Sequence, residues 1–247
     1  MTEYRCEKVL PYQNQNETKT QQVEQMFDSI ASHYDTMNRL MSLYQDKNWR
    51  KYAIKRLSKE NPKTILDVAT GTGDFAIQAY DVIKPEKITG IDLSEKMLEV
   101  GKVKVANLNL SDRITLEKAD SMSLPFADAT FDSATVAFGV RNFESLEKGL
   151  SEICRVIKPG GSLAILELSE PTNKLYWLGY KVYTKLFIPI MAKLLRTSKD
   201  AYDYLPSSIE AFPQGKVMAE LLKKSGFSKV EIDTYTMQTC TFYFATK

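Results

Sequence analysis

Residues 66–76 read LDVATGTGDFA: an apolar run that ends near an acid, turns through two glycines and enters a helix-forming stretch. A buried strand feeding a glycine turn and then a helix is the first half of a βαβ unit, which commits the chain to an α/β architecture. The rest keeps that rhythm. Compact apolar runs at 64–68, 87–92, 114–118, 131–138 and 163–168 predict buried strands. Helical spacing predicts helices at 73–82, at 95–106 with Ser94 as N-cap, and at 145–156. Upstream, Val23, Met26, Phe27, Ile30, Ala31 and Tyr34 recur at i, i+3, i+4 and i+7, so 21–34 is predicted as one amphipathic helix, with another at 49–58. Lys158-Pro159-Gly160-Gly161 is predicted as a turn. Strand alternating with helix means a mostly parallel sheet covered on both faces. The rhythm breaks near the end, where a helix at 216–225 leads into strands at 229–235 and 241–246. Their short link permits only an antiparallel hairpin.

With 247 residues and 43% apolar content, the chain is expected to form one domain over 21–247, preceded by a flexible polar lead-in at 1–20. The lead-in lacks the apolar core of a signal peptide. Net charge is +2 with lysines and acids interleaved, which gives no footprint for nucleic acid. Cys6, Cys154 and Cys240 lie far apart and His33 is the one histidine, so no metal site and no disulfide scaffold are predicted. That cysteine usage points to a reducing cytoplasm.

Three ligands compete for the glycine turn. Gly71-x-Gly73-x-x-Ala76, with Asp92 about 20 residues later at the end of the next strand, fits a dinucleotide fingerprint. A purely structural turn is the plain alternative. No Gly-Lys-Ser/Thr follows, which excludes a phosphate-cradling loop. The surrounding acids favour a cation. Asp67 ends the first strand four residues before Gly71, where it repels a diphosphate and attracts an amine or sulfonium. Asp120-Ser121 opens the loop after the third strand, where an adenine edge can be read. The turn suits S-adenosylmethionine better than NAD, leaving an NAD-dependent oxidoreductase and a non-enzymatic cofactor-binding fold as the alternatives.

Longer signatures carry a resemblance. They are MFDSIASHYDTMNRLMS (26–42), WRKYAI (49–54), GIDLSEKMLEVGK (90–102), ADSMSLPFADATFD (119–132), AFGVRN (137–142), RVIKPGGSLAILELSEP (155–171) and YDYLPSSIEAFP (202–213). In order and spacing the chain resembles the class I S-adenosylmethionine-dependent methyltransferases, and among them the menaquinone/ubiquinone biosynthesis C-methyltransferases. The resemblance implies a Rossmann-like seven-stranded sheet with an antiparallel last strand, helices on both faces, N-terminal helices and a helical lid insertion at about 172–213. It implies that Thr72, with Gly71 and Gly73, lines the methionine end of the cofactor, with Asp67 helping through water or the amino group. Asp92 would hold the ribose, and Asp120 with Ser121 the adenine. The implied reaction is methyl transfer to a ring carbon of a reduced prenylated quinone, naphthoquinol or benzoquinol. Arg141 is then expected to stabilise a developing phenolate and Asn142 to orient the hydroxyl, with Tyr34 a third catalytic candidate. FGVRN stands where many N-methyltransferases carry an Asn/Asp-Pro-Pro-Tyr motif. The C-terminal MQTCTFYFATK departs from the glycine pair and histidine of many relatives, and His33 receives no catalytic role.

Residues 174–195, KLYWLGYKVYTKLFIPIMAKLL, are long enough to suggest a membrane span, but Lys181, Lys185 and Pro189 argue against one. Tyr176, Tyr180, Tyr183 and Phe187 share one helical face, with Lys174, Lys181 and Lys185 near the opposite one. The expectation is a lid over the substrate ring, with peripheral membrane contact as the sharper reading; a homodimer is left open.

Overall fold

The structure, a computed structural model, describes residues 3–12, 14, 16–187 and 199–247. Its strands are β1 (Thr64–Val68), β2 (Lys87–Asp92), β3 (Ile114–Lys118), β4 (Phe131–Ala137), β5 (Ile157–Leu168), β6 (Lys229–Tyr235) and β7 (Cys240–Thr246). They form one sheet in the order β3-β2-β1-β4-β5-β7-β6. The first five are parallel, and β7 is antiparallel to both β5 and β6. The seven strands and the C-terminal hairpin match the expectation.

Alternation along each strand sends neighbouring side chains to opposite faces. Leu66, Val68, Leu163 and Ile165 pack on one side against Leu150 and Ile153 of helix α6 (Leu146–Val156). Ile65, Ala164 and Leu166 pack on the other against Trp49, Ala53 and Leu57 of helix α3 (Gln45–Leu57). Helices α4 (Asp74–Ile83) and α5 (Glu95–Asn107) complete that second face through Phe75, Ala79, Leu98 and Val105. Ser94 caps α5 as predicted, its hydroxyl accepting from Met97 N–H at 3.2 Å.

Three local expectations are corrected. The Lys158–Gly161 segment does not separate two elements but lies within β5, where the pairing jumps from Phe131↔Ile157 to Ser133↔Ser162. Gly161 permits this bulge: a Cβ there would lie 2.4 Å from the Asp132 carbonyl oxygen. The helix predicted over 21–34 is broken into α1 (Lys19–Ile30), a 3-10 turn (Ala31–His33) and α2 (Tyr34–Met41). No glycine or proline marks that break; Ile30, Ala31 and Met37 turn inward onto Met97 of α5. Finally, two parts of the expected lead-in pack onto the rest of the protein. Arg5–Lys8 form a 3-10 turn with Cys6 fully buried, and Lys19 Nζ donates to the Cys6 carbonyl at 2.7 Å. Among the described residues, helices α7 (Lys174–Val182), α8 (Lys199–Ala211) and α9 (Lys216–Lys224) follow β5.

Candidate active site

Strand order reverses between β1 and β4, so the loops leaving their carboxyl ends diverge and open a crevice. Both loops leave in the left-handed region although neither begins with glycine: Ala69 has φ +52° and Phe138 φ +61°. Residues with side chains in this region store strain, and such positions cluster at ligand sites. Gly139 makes the crossing possible, since a Cβ there would sit 2.5 Å from Ala69 Cβ. Gly71 (φ +56°) and Gly73 (φ +77°) then turn the chain into α4.

Three cavities meet here. The first is lined by Gly71, Asp92, Leu93, Asp120, Ser121 and Asn142. The second, smaller one is lined by Asp35, Arg50, Asp67, Gly71, Thr72 and Asp74. The third is a largely apolar cavity of about 270 Å³ whose walls include Met26, Met37, Trp49, Arg141, Tyr180 and Tyr204. Tyr34 and Phe138 line all three and stand at their junction.

The acids expected at the cofactor are brought together. Asp92 accepts from Gly71 N–H at 2.8 Å and from Ser94 N–H at 3.0 Å, so the glycine turn and the start of α5 are hung on one carboxylate. Burial raises its pKa, and the backbone donors oppose the shift only in part. A carboxylate offers about four acceptor positions, so these backbone donors do not exhaust Asp92. Asp120 accepts from Met122 N–H at 2.9 Å, which fixes the loop beside Ser121. Thr72 lines the second cavity, but its hydroxyl donates to Asp35 Oδ1 at 2.6 Å and accepts from Lys104 Nζ at 2.9 Å. Lys104 also donates to Asp35 at 2.7 Å and to Asp74, which latches α2 to the glycine turn. Asp35 escaped the sequence reading, although it lies in the quoted YDTMN segment.

Asp67 is buried, accepting from Thr70 Oγ1 and Thr135 Oγ1, each at 2.6 Å. Burial pushes its carboxyl up to about 6, against the two hydroxyl donors. A carboxyl whose folded pKa lies above its unfolded value stabilises the fold below the unfolded pKa and loses that contribution as pH rises through the folded one. Stability of the free protein should therefore fall between about pH 4 and pH 6 and then level off. In Asp67→Asn that slope should vanish and the melting temperature at neutral pH should rise, by at most about 3 kcal/mol of stability. Urea melts of both proteins from pH 4 to 8 test this; parallel curves would show that Asp67 does not titrate in that window.

Arg141 and Asn142 follow β4 as expected, but they serve different cavities. Arg141 Nη1 donates to Glu167 Oε1 at 2.7 Å and to the Phe138 carbonyl at 2.5 Å, while Arg141 N–H reaches Glu167 Oε2 at 3.2 Å. Burial alone would lower the guanidinium pKa, but the Glu167 carboxylate together with the Tyr204 and Tyr34 hydroxyls raises it instead and holds the charge. Arg141 Nε is buried without a partner among the described residues. Asn142 lines the first cavity rather than the apolar one, and its Oδ1 accepts from Tyr204 OH at 3.0 Å. Tyr204, which the sequence reading missed, reaches the apolar cavity instead; it belongs to the YDYLPSSI segment. Glu167 was missed too, although an acid inside the apolar run LAILEL must find a buried cation. Lys19 Nζ braces the same loop by donating to the carbonyls of Arg141 (3.1 Å) and Phe143 (3.2 Å). Burial raises the pKa of Tyr34, so its phenol keeps its proton and is a hydrogen-bond donor, not a base. His33 is exposed, with Nδ1 against the Ser32 hydroxyl at 2.7 Å.

Helix α7 and the wide helical turn after it (Tyr183–Phe187) place Tyr180, Tyr183 and Thr184 in the apolar cavity wall, and Tyr183 OH donates to the Met41 carbonyl. The divergent C-terminal hairpin holds the base of α7. Gln238 Oε1 accepts from Thr172 N–H and Asn173 N–H at 3.0 and 3.1 Å. Lys181 does not point into water alone: it pairs with Glu170 at 3.0 Å and lies over the Trp177 ring. The rest of the predicted segment, Pro189 included, lies outside the described residues. No helix among the described residues is long and apolar enough to cross a membrane.

An acid-rich crevice joined to an apolar cavity fits a cofactor with a ribose diol at one end and cationic groups at the other. It fits a dinucleotide badly, because Asp35, Asp67 and Asp74 stand where a diphosphate would lie. Comparison with solved structures shows the fold. A SAM-dependent methyltransferase from Thermotoga maritima superposes with a TM-score of 0.63 at 19% identity, covering 90% of this chain and 99% of the other. The cyclase SpnF superposes with a TM-score of 0.64 at 19% identity, over 92% and 96%. A fold shared with a cyclase does not by itself decide the chemistry. Sequence relatives are more decisive. The demethylmenaquinone methyltransferase of Bacteroides fragilis is 49% identical over 244 residues, 99% of each chain. That of Porphyromonas gingivalis is 43% identical over 98% of each. The ubiquinone/menaquinone biosynthesis C-methyltransferase UbiE of a Geobacter species is 40% identical, over 93% of this chain and 97% of its own. Residues 14–247 match the ubiE/COQ5 methyltransferase family, so this chain belongs to that family and uses S-adenosylmethionine.

Proposed function

We propose that this protein methylates a ring carbon of a reduced prenylated naphthoquinone, converting demethylmenaquinol to menaquinol. The observation that carries the reading is the meeting of the acidic cofactor crevice and a largely apolar, ring-sized cavity at Tyr34 and Phe138. Bound S-adenosylmethionine supplies an electrophilic methyl group on a sulfonium. The protein's part is alignment, charge and exclusion of water. Tyr34 and Phe138 close the junction, Arg141 receives negative charge growing on a ring oxygen through its unpartnered Nε–H, and Tyr204, held by Asn142, orients the hydroxyl. A water beside Arg141 takes the ring proton that must leave to restore aromaticity. Incubating the purified protein with S-adenosylmethionine and short-tailed demethylmenaquinol, with the matching benzoquinol in parallel, tests this. Mass spectrometry should show one added methyl on the naphthoquinol; methylation of the benzoquinol alone would reassign the substrate to ubiquinone synthesis.

Helix α7 acts as a lid over this cavity and rests on the membrane that holds the substrate's tail. Leu175, Leu178 and Val182 recur at i, i+3 and i+7 on its outer face and, with Leu186 of the wide turn that follows, are 75, 59, 53 and 61% exposed, with exposed Lys174 and Lys185 beside them. An apolar stripe edged by lysines binds anionic lipid weakly and in a salt-sensitive way. The protein should float with anionic liposomes at low salt. The triple variant Leu178→Ser, Val182→Ser, Leu186→Ser should lose flotation yet keep its turnover of a soluble short-tailed quinol. A wild type that never floats would leave α7 only the role of a lid.

A further inference from the structure

Arg50 stands at a boundary that the reaction described above does not use. It projects from α3, is 5% exposed, and lines both the apolar cavity and the small acidic cavity beside the glycine turn. The acidic cavity has three carboxylates in its wall, and among the described residues lining it Arg50 is the cation. Two of the carboxylates, Asp35 and Asp74, are already taken by Lys104, and Asp67 by two hydroxyls. Arg50 gives one N–H to Asp46 at 2.7 Å and sets its guanidinium 5.7 Å from the Phe138 ring centroid. An arginine has five N–H donors in a planar fork, so most of its recognition capacity remains. Asp46 is itself fixed by the Ser42 hydroxyl at 2.9 Å, which holds the fork in place.

A pocket with fixed acids along one wall and a single buried guanidinium admits an anion at one point only. Elsewhere a carboxylate is repelled, whereas an ammonium is welcome. We propose that Arg50 binds the α-carboxylate of the cofactor's methionine end, with the ammonium turned toward Asp67. Arg50 thereby selects a zwitterionic amino-acid tail and keeps its negative end away from Asp35 and Asp74. The inference rests on the cofactor assignment above, and the test separates the two.

The test is calorimetric binding of S-adenosylhomocysteine and of its decarboxylated analogue, which keeps the adenosine, thioether and amine but has hydrogen in place of the carboxylate. Wild type should bind S-adenosylhomocysteine at least about 10-fold more tightly than the analogue. Arg50→Met should weaken S-adenosylhomocysteine by about 10- to 100-fold and leave the analogue within a few-fold. Because Arg50→Met orphans buried Asp46, the double variant Asp46→Asn, Arg50→Met carries the same measurement if the single one does not fold. Retained analogue binding certifies the fold in either case. Wild type binding both ligands alike, or variants losing both equally, would overturn the assignment and reduce Arg50 to a strut for α3. Wild type binding neither ligand would instead overturn the cofactor assignment itself.

Discussion

Asp92→Ala should weaken S-adenosylhomocysteine binding at least about 100-fold. With Asp92 assigned to the ribose diol, as the family resemblance implies, the change removes two charge-assisted hydrogen bonds together, each contributing roughly 1.5–3 kcal/mol. The effect has a second source inside the protein. Asp92 also holds Gly71 N–H and Ser94 N–H, so the variant loosens the turn that must close on the cofactor. Asp92→Asn separates the contributions: its one remaining carbonyl oxygen can keep Gly71 in place, but it carries no charge and accepts fewer hydrogen bonds. Affinity should therefore rank wild type, Asn, Ala, while the two variants melt within a few degrees of one another. Calorimetric titration with a parallel melt measures both. Binding by Asp92→Ala within a few-fold of wild type would mean that the ribose lies elsewhere.

The acids at strand ends were legible because their placement is local. Asp67, Asp92 and Asp120 each stand where an apolar run stops, and a parallel sheet delivers the carboxyl ends of its strands to one crevice. The same locality explains the strands, whose almost continuous burial is written in compact apolar runs of contiguous residues. Partner choice between elements was not legible. That Thr72 turns its hydroxyl to Asp35, and Lys104 clasps both, depends on how α2 and α5 pack. The break between α1 and α2 is of the same kind: the apolar pattern over residues 21–34 runs on, and only packing against Met97 shows that it must bend. Asn142 shows the limit most plainly. It follows Arg141 directly, yet the short 3-10 turn of Val140–Asn142 sends consecutive side chains to different cavities. A motif names the residues at a site, and turn geometry divides the work among them.

Arg141→Ala should lower turnover at least about 100-fold while S-adenosylhomocysteine affinity stays within a few-fold, because a donor aimed at growing charge acts in the transition state and not in cofactor binding. The structure adds a consequence for stability. Removing the guanidinium leaves the Glu167 carboxylate buried without its cation, a loss on the order of 3–5 kcal/mol. Low activity in Arg141→Ala alone is therefore ambiguous, since a partly unfolded enzyme also turns over slowly. Pairing it with Glu167→Gln resolves this. Glutamine keeps one oxygen, so it satisfies one of the two backbone N–H groups, of Arg141 or of Leu168, that reach the separate oxygens of Glu167, and it needs no counter-ion. The double variant should recover most of the lost melting temperature and none of the lost turnover. Arg141→Lys should fall between, because an ammonium can meet Glu167 but has no second donor fixed in the guanidinium plane. Melting curves and single-turnover rates on a soluble quinol give both readouts. If turnover returns along with stability in the double variant, Arg141 is a structural strut and the charge on the ring is stabilised elsewhere in the cavity.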